Sequence, residues 1–180
     1  DVETALTTAA EAGCLEIVEF LLSNSEELKV DNALTAAVRG EQIEVVKLLI
    51  NTGRVCDISD ALSAVCIVKS YEIIDELLKI KGEIGEALTV AAEAGNLQLV
   101  ERLLTSDTKN SLRYKNFEGK DALMLASEKG HEPVVQKLVE HEASLESQDD
   151  SGKTALMYSV ENGYYGVANI LMKSQSEENR

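Results

Sequence analysis

Apolar positions along the chain fall into short blocks, and the blocks recur. An Ala-Leu pair opens each one, at Ala5, Ala33, Ala61, Ala87, Ala122 and Ala155. A second apolar block follows each pair: Val18-Leu21-Leu22, Val46-Leu49-Ile50, Ile74-Leu77-Leu78, Val100-Leu103-Leu104, Val135-Leu138-Val139 and Ala168-Leu171-Met172. The alanines are 28, 28, 26, 35 and 33 residues apart, yet the second block always begins 13 residues after its alanine. The unit is therefore constant in length and only the connections vary. Six copies tile the chain, near residues 3–30, 31–58, 59–84, 85–115, 116–148 and 149–175, with a tail at 176–180.

Within a copy the pattern predicts two helices. Thr4, Asn32, Asp60, Asp121 and Thr154 precede the Ala-Leu pair, and each has a side-chain oxygen suited to an N-cap. Glu86 holds that position in the fourth copy. A helix of about two turns should follow. Gly13, Gly95, Gly130 and Gly163 lie eight residues after their alanines, where a left-handed residue ends one helix and lets the next run back. The second helix repeats its apolar positions at helical spacing, as in Leu15, Val18, Leu21 and Leu22. Copies two and three place Glu41 and Lys69 at the turn position; Gly40 offers the second copy a substitute, and the third has none. Lys69 is thus the expected weak joint. No helix pair can bury its apolar face alone, so the copies must stack as one domain.

The residues carrying this pattern resemble the ankyrin repeat, which runs roughly G-x-T-P-L-H-x-A-A-x-x-G-H-x-x-x-V-x-x-L-L-x-x-G-A. "GKDALMLASEKGHEPVVQKLVEHEA" meets it at Gly119, Leu123, Ala126, Gly130, His131, Val135 and Leu138. "GKTALMYSVENGYYGVANILM" meets it at Gly152, Thr154, Leu156, Gly163 and Leu171. The resemblance covers roughly residues 3 to 175. It implies an all-α helical-repeat solenoid, 1–180, with short hairpins mainly between the last repeats. Alanine replaces the family's proline at every start, and Thr7, Thr35, Ser63, Thr89, Met124 and Met157 stand where its histidine would be. The first three connections are about five residues short of the family's length, so their hairpins should be trimmed. "FEG" and "DSG" in the last two read as hairpin tips.

Composition narrows the function. The 180 residues carry a net charge of -15, with 44% apolar and 4% aromatic residues. That surface repels phosphate backbones and anionic lipid, so neither nucleic acid nor membrane is expected as a partner. Acidity is concentrated early: residues 1–105 sum to -11 and residues 106–180 to -4. This favours a basic partner or, equally, serves only to keep an elongated array soluble. Cys14, Cys56 and Cys66 are an odd number without framework spacing, which fits a reducing, cytoplasmic setting. The chain starts at Asp1 rather than Met, which raises the expectation of a segment from a longer protein.

No catalytic constellation emerges. His131 and His141 are the only histidines, and "HEPVV" lacks the second histidine of a zinc-protease motif. His131 sits where ankyrin repeats have a structural histidine. Cys14 and Cys66 map to helix-packing positions and should be buried, while Cys56 lies in a connection. "KGEIGE" lacks the ending of a phosphate loop, and "DDSGK" lacks the downstream glutamate of a calcium loop. No metal or cofactor is expected.

The expectation is a non-catalytic protein-interaction scaffold, monomeric, binding through a concave face and hairpin tips as the resemblance implies. The alternative is the targeting or regulatory arm of a larger enzyme, such as a kinase, whose catalytic domain lies elsewhere. Residues just before each turn should face the partner: Glu11-Ala12, Arg39-Gly40, Ile67, Val68, Glu93, Ala94, Glu128, Lys129, Glu161 and Asn162. The last two connections add Tyr114, Phe117, Glu118, Lys120, Asp150, Ser151 and Lys153, and Tyr158 sits on a first helix; Phe117 either meets a partner or packs back on its own hairpin, and Tyr158 either meets a partner or packs on its neighbour helix. Val167, Ile170 and Leu171 should lie uncovered at the last repeat.

Overall fold

The computed structural model describes residues 1–25, 27–68, 70–79, 84–104 and 108–178. Among these there are thirteen helices and no strand. They form two compact units, residues 1–81 and 82–180. Unit 1 holds α1 (Val2–Glu11), α2 (Leu15–Asn24), α3 (Asp31–Arg39), α4 (Ile43–Asn51), α5 (Ser59–Val68) and α6 (Tyr71–Leu77). Unit 2 holds α7 (Ile84–Glu93), α8 (Leu97–Leu104), α9 (Thr108–Ser111), α10 (Ala122–Lys129), α11 (Glu132–Glu140), α12 (Ala155–Glu161) and α13 (Tyr165–Glu178).

Each unit has two layers. First helices pack side by side, α1 on α3 on α5 in unit 1 and α7 on α10 on α12 in unit 2. Second helices form the other layer, α2–α4–α6 and α8–α11–α13. The repeated apolar positions are what lies between them. Leu6, Leu34, Leu62, Leu88 and Leu123 are all buried, as are Val18, Val46, Ile74, Val100 and Val135. Each such side chain withdrawn from water contributes about 1.5–3 kcal/mol. Small residues set how closely neighbours approach. Gly40 lies against the Glu11 carbonyl oxygen, leaving no room for a Cβ between α3 and α1.

The turn glycines are left-handed as the spacing predicts, from +69° at Gly95 to +76° at Gly130. Three of them are sealed by a side chain from the next repeat: Gln42 lies over Gly13, His131 over Gly95 and Tyr164 over Gly130. In the second repeat Gly40 does not take the turn; its φ is -80°, and Glu41 itself is left-handed at +56°. Close packing holds Gly40, so the strain, about 1–2 kcal/mol, falls on Glu41. Lys69 lies outside the described residues.

Several expectations are corrected. Asp121 and Thr154 do cap α10 and α12, accepting from Met124 N and Met157 N. Thr4, Asn32 and Asp60 do not cap, because α1, α3 and α5 begin earlier. Asp1 caps α1 instead, through Thr4 N at 2.8 Å. With no hairpin to form, the short connections run straight into helix. Gly85 likewise sits inside α7, under Tyr114. Lys81, Gly82 and Glu83 of "KGEIGE" lie outside the described residues. Cys14 is exposed rather than buried, since no repeat lies against its side of α2; Cys56 is exposed as expected. The Cys66 side chain lies outside the described residues. Val167 and Leu171 are buried against α11 and Ile170 is half-buried, and the large apolar side chains left open on the last repeat are Met157, Val160, Tyr164, Tyr165 and Met172.

Candidate functional site

The predicted contact residues of unit 2 come together where the last two connections meet α10 and α12. Each connection folds into a hairpin by the same device. Asn116 Oδ1 accepts from Glu118 N and Lys120 N, both at 3.0 Å. Asp149, the equivalent residue 33 positions later, accepts from Ser151 N at 2.9 Å and Lys153 N at 2.8 Å. Gly119 and Gly152, at +73° and +79°, close the tips. The two hairpins touch: Lys115 Nζ donates to the Gln148 carbonyl at 2.6 Å, and Asp150 N to the Glu118 carbonyl at 3.4 Å.

The lysine after each tip turns onto a first helix. Lys120 Nζ lies 3.0 Å from both Glu118 and Glu128, and Lys153 Nζ lies 2.7 Å from Glu161. Both ammonium groups sit over the Tyr158 ring, 4.8 and 5.4 Å from its centroid. Burial alone would lower the Lys120 pKa, but hydrogen bonds to Glu128 and Glu118 outweigh it and raise the value. Tyr158 is buried, and its hydroxyl donates to Asp149 Oδ2. Burial, then that hydrogen bond, pushes the phenol up to about 12. The same bond is the first cause holding the Asp149 carboxyl below its usual range. Tyr158 is therefore a pin between hairpin and helix rather than an exposed contact, because its hydroxyl finds a carboxylate within its own repeat.

The remaining predicted positions differ in what they expose. Phe117, at the first tip, is 92% exposed. Glu118, Asp150, Ser151, Glu161 and Asn162 are also exposed. Tyr114 is 36% exposed and rests on Gly85 of α7. Ala94 and Lys129 are exposed, and Lys129 Nζ reaches Glu93 at 3.5 Å. His131 is structural, with Nε2 2.9 Å from the Glu93 carbonyl. Val68 is half-buried, which leaves it little area for a partner, and the Ile67 side chain lies outside the described residues. Sequence reasoning named the lysines and glutamates but missed their pairing. The signal was present: lysine two residues before the alanine and glutamate six after it recur in both hairpin-bearing repeats.

The residues supply charge, hydrogen bonds and one bare aromatic ring, which is equipment for recognition. Among the described residues no three His, Cys, Asp or Glu side chains converge as a metal site. None of the described helices is long and apolar enough to cross a membrane.

Comparison with known proteins fits this geometry. The family described as ankyrin repeats (3 copies) matches residues 1–61 and 88–180. The chain belongs to the ankyrin-repeat family. Ankyrin repeats are generally protein–protein interaction modules. Similar ankyrin proteins include the ankyrin repeat-containing protein ITN1 of Arabidopsis thaliana, 37% identical over 75 residues, which are 41% of this chain and 13% of that protein. The ankyrin repeat and SAM domain-containing protein 6 of Mus musculus is 32% identical over 112 residues, 59% of this chain and 13% of that one. The probable E3 ubiquitin-protein ligase XBOS32 of Oryza sativa is 34% identical over 89 residues, 49% and 18% of the two chains. The chain thus spans less than a fifth of these relatives. Among solved structures, an ankyrin repeat domain from Acinetobacter baumannii superposes with a TM-score of 0.68 at 21% identity, over 96% of this chain and 98% of that one. A chain in the complex of the Bdellovibrio bacteriovorus endopeptidase Bd0816 with immunity protein Bd3460 gives 0.69 at 23% identity, over 94% and 97%.

Proposed function

We propose that this ankyrin array is a non-catalytic scaffold that binds another protein, and that in unit 2 the contact is made by the hairpin tips and the adjoining ends of the first helices. The observation that carries the reading is Phe117. A phenyl ring with 92% of its surface in water has no folding role, and it stands at the tip of a hairpin held rigid from both sides. A rigid aromatic anchor loses little entropy on binding and is worth about 2 kcal/mol or more once a partner buries it. Glu118, Asp150, Ser151, Glu161 and Asn162 form the polar surround, and Glu93, Ala94 and Lys129 extend it along the helix ends. The net charge of -15 favours a basic partner by speeding encounter. Free thiols at Cys14 and Cys56 support a reducing, cytoplasmic setting.

The test is capture of partners from lysate by the parent chain, followed by titration of one purified partner. Phe117→Ala should weaken that complex about tenfold or more without moving the melting temperature. Glu19→Ala, on a second helix, should leave it within about twofold. Equal loss in both variants, or none in Phe117→Ala, overturns the reading. The second reading, an ankyrin arm of a larger enzyme, is supported by the small share the chain covers of its relatives, one of them a probable ubiquitin ligase. The full reading frame that encodes residues 1–180 decides between them.

A further inference from the structure

The inner repeats bury two sets of positions that the first and last repeats leave open. Five residues after its alanine, a first helix meets the repeat that follows: Ala10, Val38, Ala92 and Ser127 are fully buried there. Val160, the same position on α12, is 64% exposed. Met157, in register with buried Thr35, Thr89 and Met124, is exposed too. Tyr165 of α13 is 87% exposed, whereas Leu15, Ile43 and Leu97 at its position are half-buried. The first repeat mirrors this on its other side. Ala33, Ala61, Ala122 and Ala155 are buried on the side of the repeat before them, and Ala5 is exposed. Twelve residues further on, Val45, Ile73, Val134 and Val167 are buried, while Ile17 is exposed with Phe20 near it.

Terminal repeats ordinarily carry a polar outer face. These two are apolar, and they differ in shape. The outer side of α1 is a trough of about 460 Å³ lined by Ala5, Thr8, Ala12, Cys14 and Ile17. The outer side of α12 carries the larger side chains Met157 and Val160. One face thus offers hollows where the other offers knobs. The turns match as well. Gln42, His131 and Tyr164 each follow the turn residue of their own repeat and lie over the turn glycine of the repeat before. Gly163 is left-handed like the others, at +74°, and has nothing within 4 Å. Cys14 holds the covering position in the first repeat and is exposed.

We propose that α12 and α13 of one chain dock on α1 and α2 of a second copy, head to tail. Met157 and Val160 of the first chain enter the trough of the second, and Cys14 of the second lies over Gly163 of the first. The course of the chain favours a second copy over the residues that come next. α2, α4 and α11 stop within two residues of Leu22, Ile50 and Val139, and the chain then turns back toward the next first helix. α13 instead runs six residues past Met172, to Glu178, so residues 173–178 do not supply that helix. The interface is heterologous, so each added copy presents a new open face and growth does not close. Residues 1–30 sum to -6 and residues 149–175 to -1, so screening by salt should strengthen the contact. A basic partner would respond in the opposite sense.

The test is sedimentation equilibrium of the whole chain from about 5 to 500 µM, in low and in physiological salt. The average mass should rise with concentration and pass that of a dimer. Ala5→Arg fills the trough and Val160→Glu charges the knob, and each alone should weaken association about tenfold or more. Mixed in equal amounts, the two variants keep one intact face each and should form a heterodimer that grows no further. Both positions are exposed, so the melting temperature should hold; Ile17→Glu and Met157→Glu stand in for a variant that unfolds. Phe117→Ala should associate like the parent, which keeps this proposal separate from the hairpin-tip reading. A single-chain mass throughout overturns the proposal and leaves the two faces to repeats of flanking chain. Association that survives Val160→Glu also overturns it, as does a mixture that stays monomeric. Loss in Val160→Glu with none in Ala5→Arg would mean that like faces pair, and overturns it too.

Discussion

Glu11 and Glu128 end equivalent helices in units 1 and 2, yet among the described residues Glu11 has no ion pair while Glu128 holds a lysine at 3.0 Å. The difference traces to connection length. The alanines of the last two repeats lie 35 and 33 residues beyond their predecessors, against 28 and 28 for the second and third. The extra residues build the hairpins at 116–120 and 149–153, and these deliver Lys120 and Lys153 to the helix ends. Unit 1 spends the same stretch starting its helices early. One architecture thus yields a face whose helix-end carboxylates hold lysines and a face on which, among the described residues, Glu3, Glu11 and Asp60 hold no ion pair.

The comparison breaks hardest at the close approach in unit 1. Gly40→Ala would drive a Cβ into the Glu11 carbonyl, and neither backbone can yield cheaply. A loss of about 3 kcal/mol is expected, concentrated in unit 1 when hydrogen exchange is followed through a urea melt. Gly53→Ala is the control, since nothing lies within 4 Å; its left-handed φ of +67° should cost only about 1 kcal/mol.

In unit 2 the corresponding fastener is a side chain. Tyr158→Phe removes the hydroxyl bonded to Asp149 and should cost about 1–2 kcal/mol. It also changes the acid response. The Asp149 pKa is lowered in the fold, so its stabilisation is present above the unfolded value, 3.8, and is lost as pH falls through the folded one. Removing the first cause of that shift should flatten the acid end of the stability curve. An unchanged slope below about pH 4 would mean the Ser151 and Lys153 amides hold the carboxylate without Tyr158.

Ser127 sharpens the comparison in the other direction. It is fully buried, and its Oγ has no partner among the described residues. Ala10 and Ala92 occupy the equivalent position. Ser127→Ala should therefore stabilise unit 2 by about 1 kcal/mol, read as a melting temperature a few degrees higher.

The smallest effect is the most informative about purpose. Lys153→Met breaks a half-exposed pair and should change stability by no more than about 0.5 kcal/mol. A loss of several kcal/mol would show that the lysines are structural first.

Sequence periodicity revealed the repeat, the helix pairs, the left-handed glycines and the hairpins, because each follows from local rules acting within one copy. Where a helix begins was legible only for the long connections. Asp121 and Thr154 cap because a hairpin holds the chain extended before them; Thr4, Asn32 and Asp60 had the same chemistry without that restraint. Tyr158 stayed open between partner contact and packing because an aromatic residue on a first helix reads the same whether or not a carboxylate nine residues earlier can reach it.

The unvarying 13 residues between the two halves of every repeat divide the chain into places that tolerate length and places that do not. One residue added inside that interval would turn the second helix by about 100° and swing Val18 or its counterparts away from the core. One residue added in a connection changes no helix face, as spacings from 26 to 35 already show. A foreign peptide grafted beside Gly53, where nothing lies within 4 Å, should be carried by an array that does not register its presence.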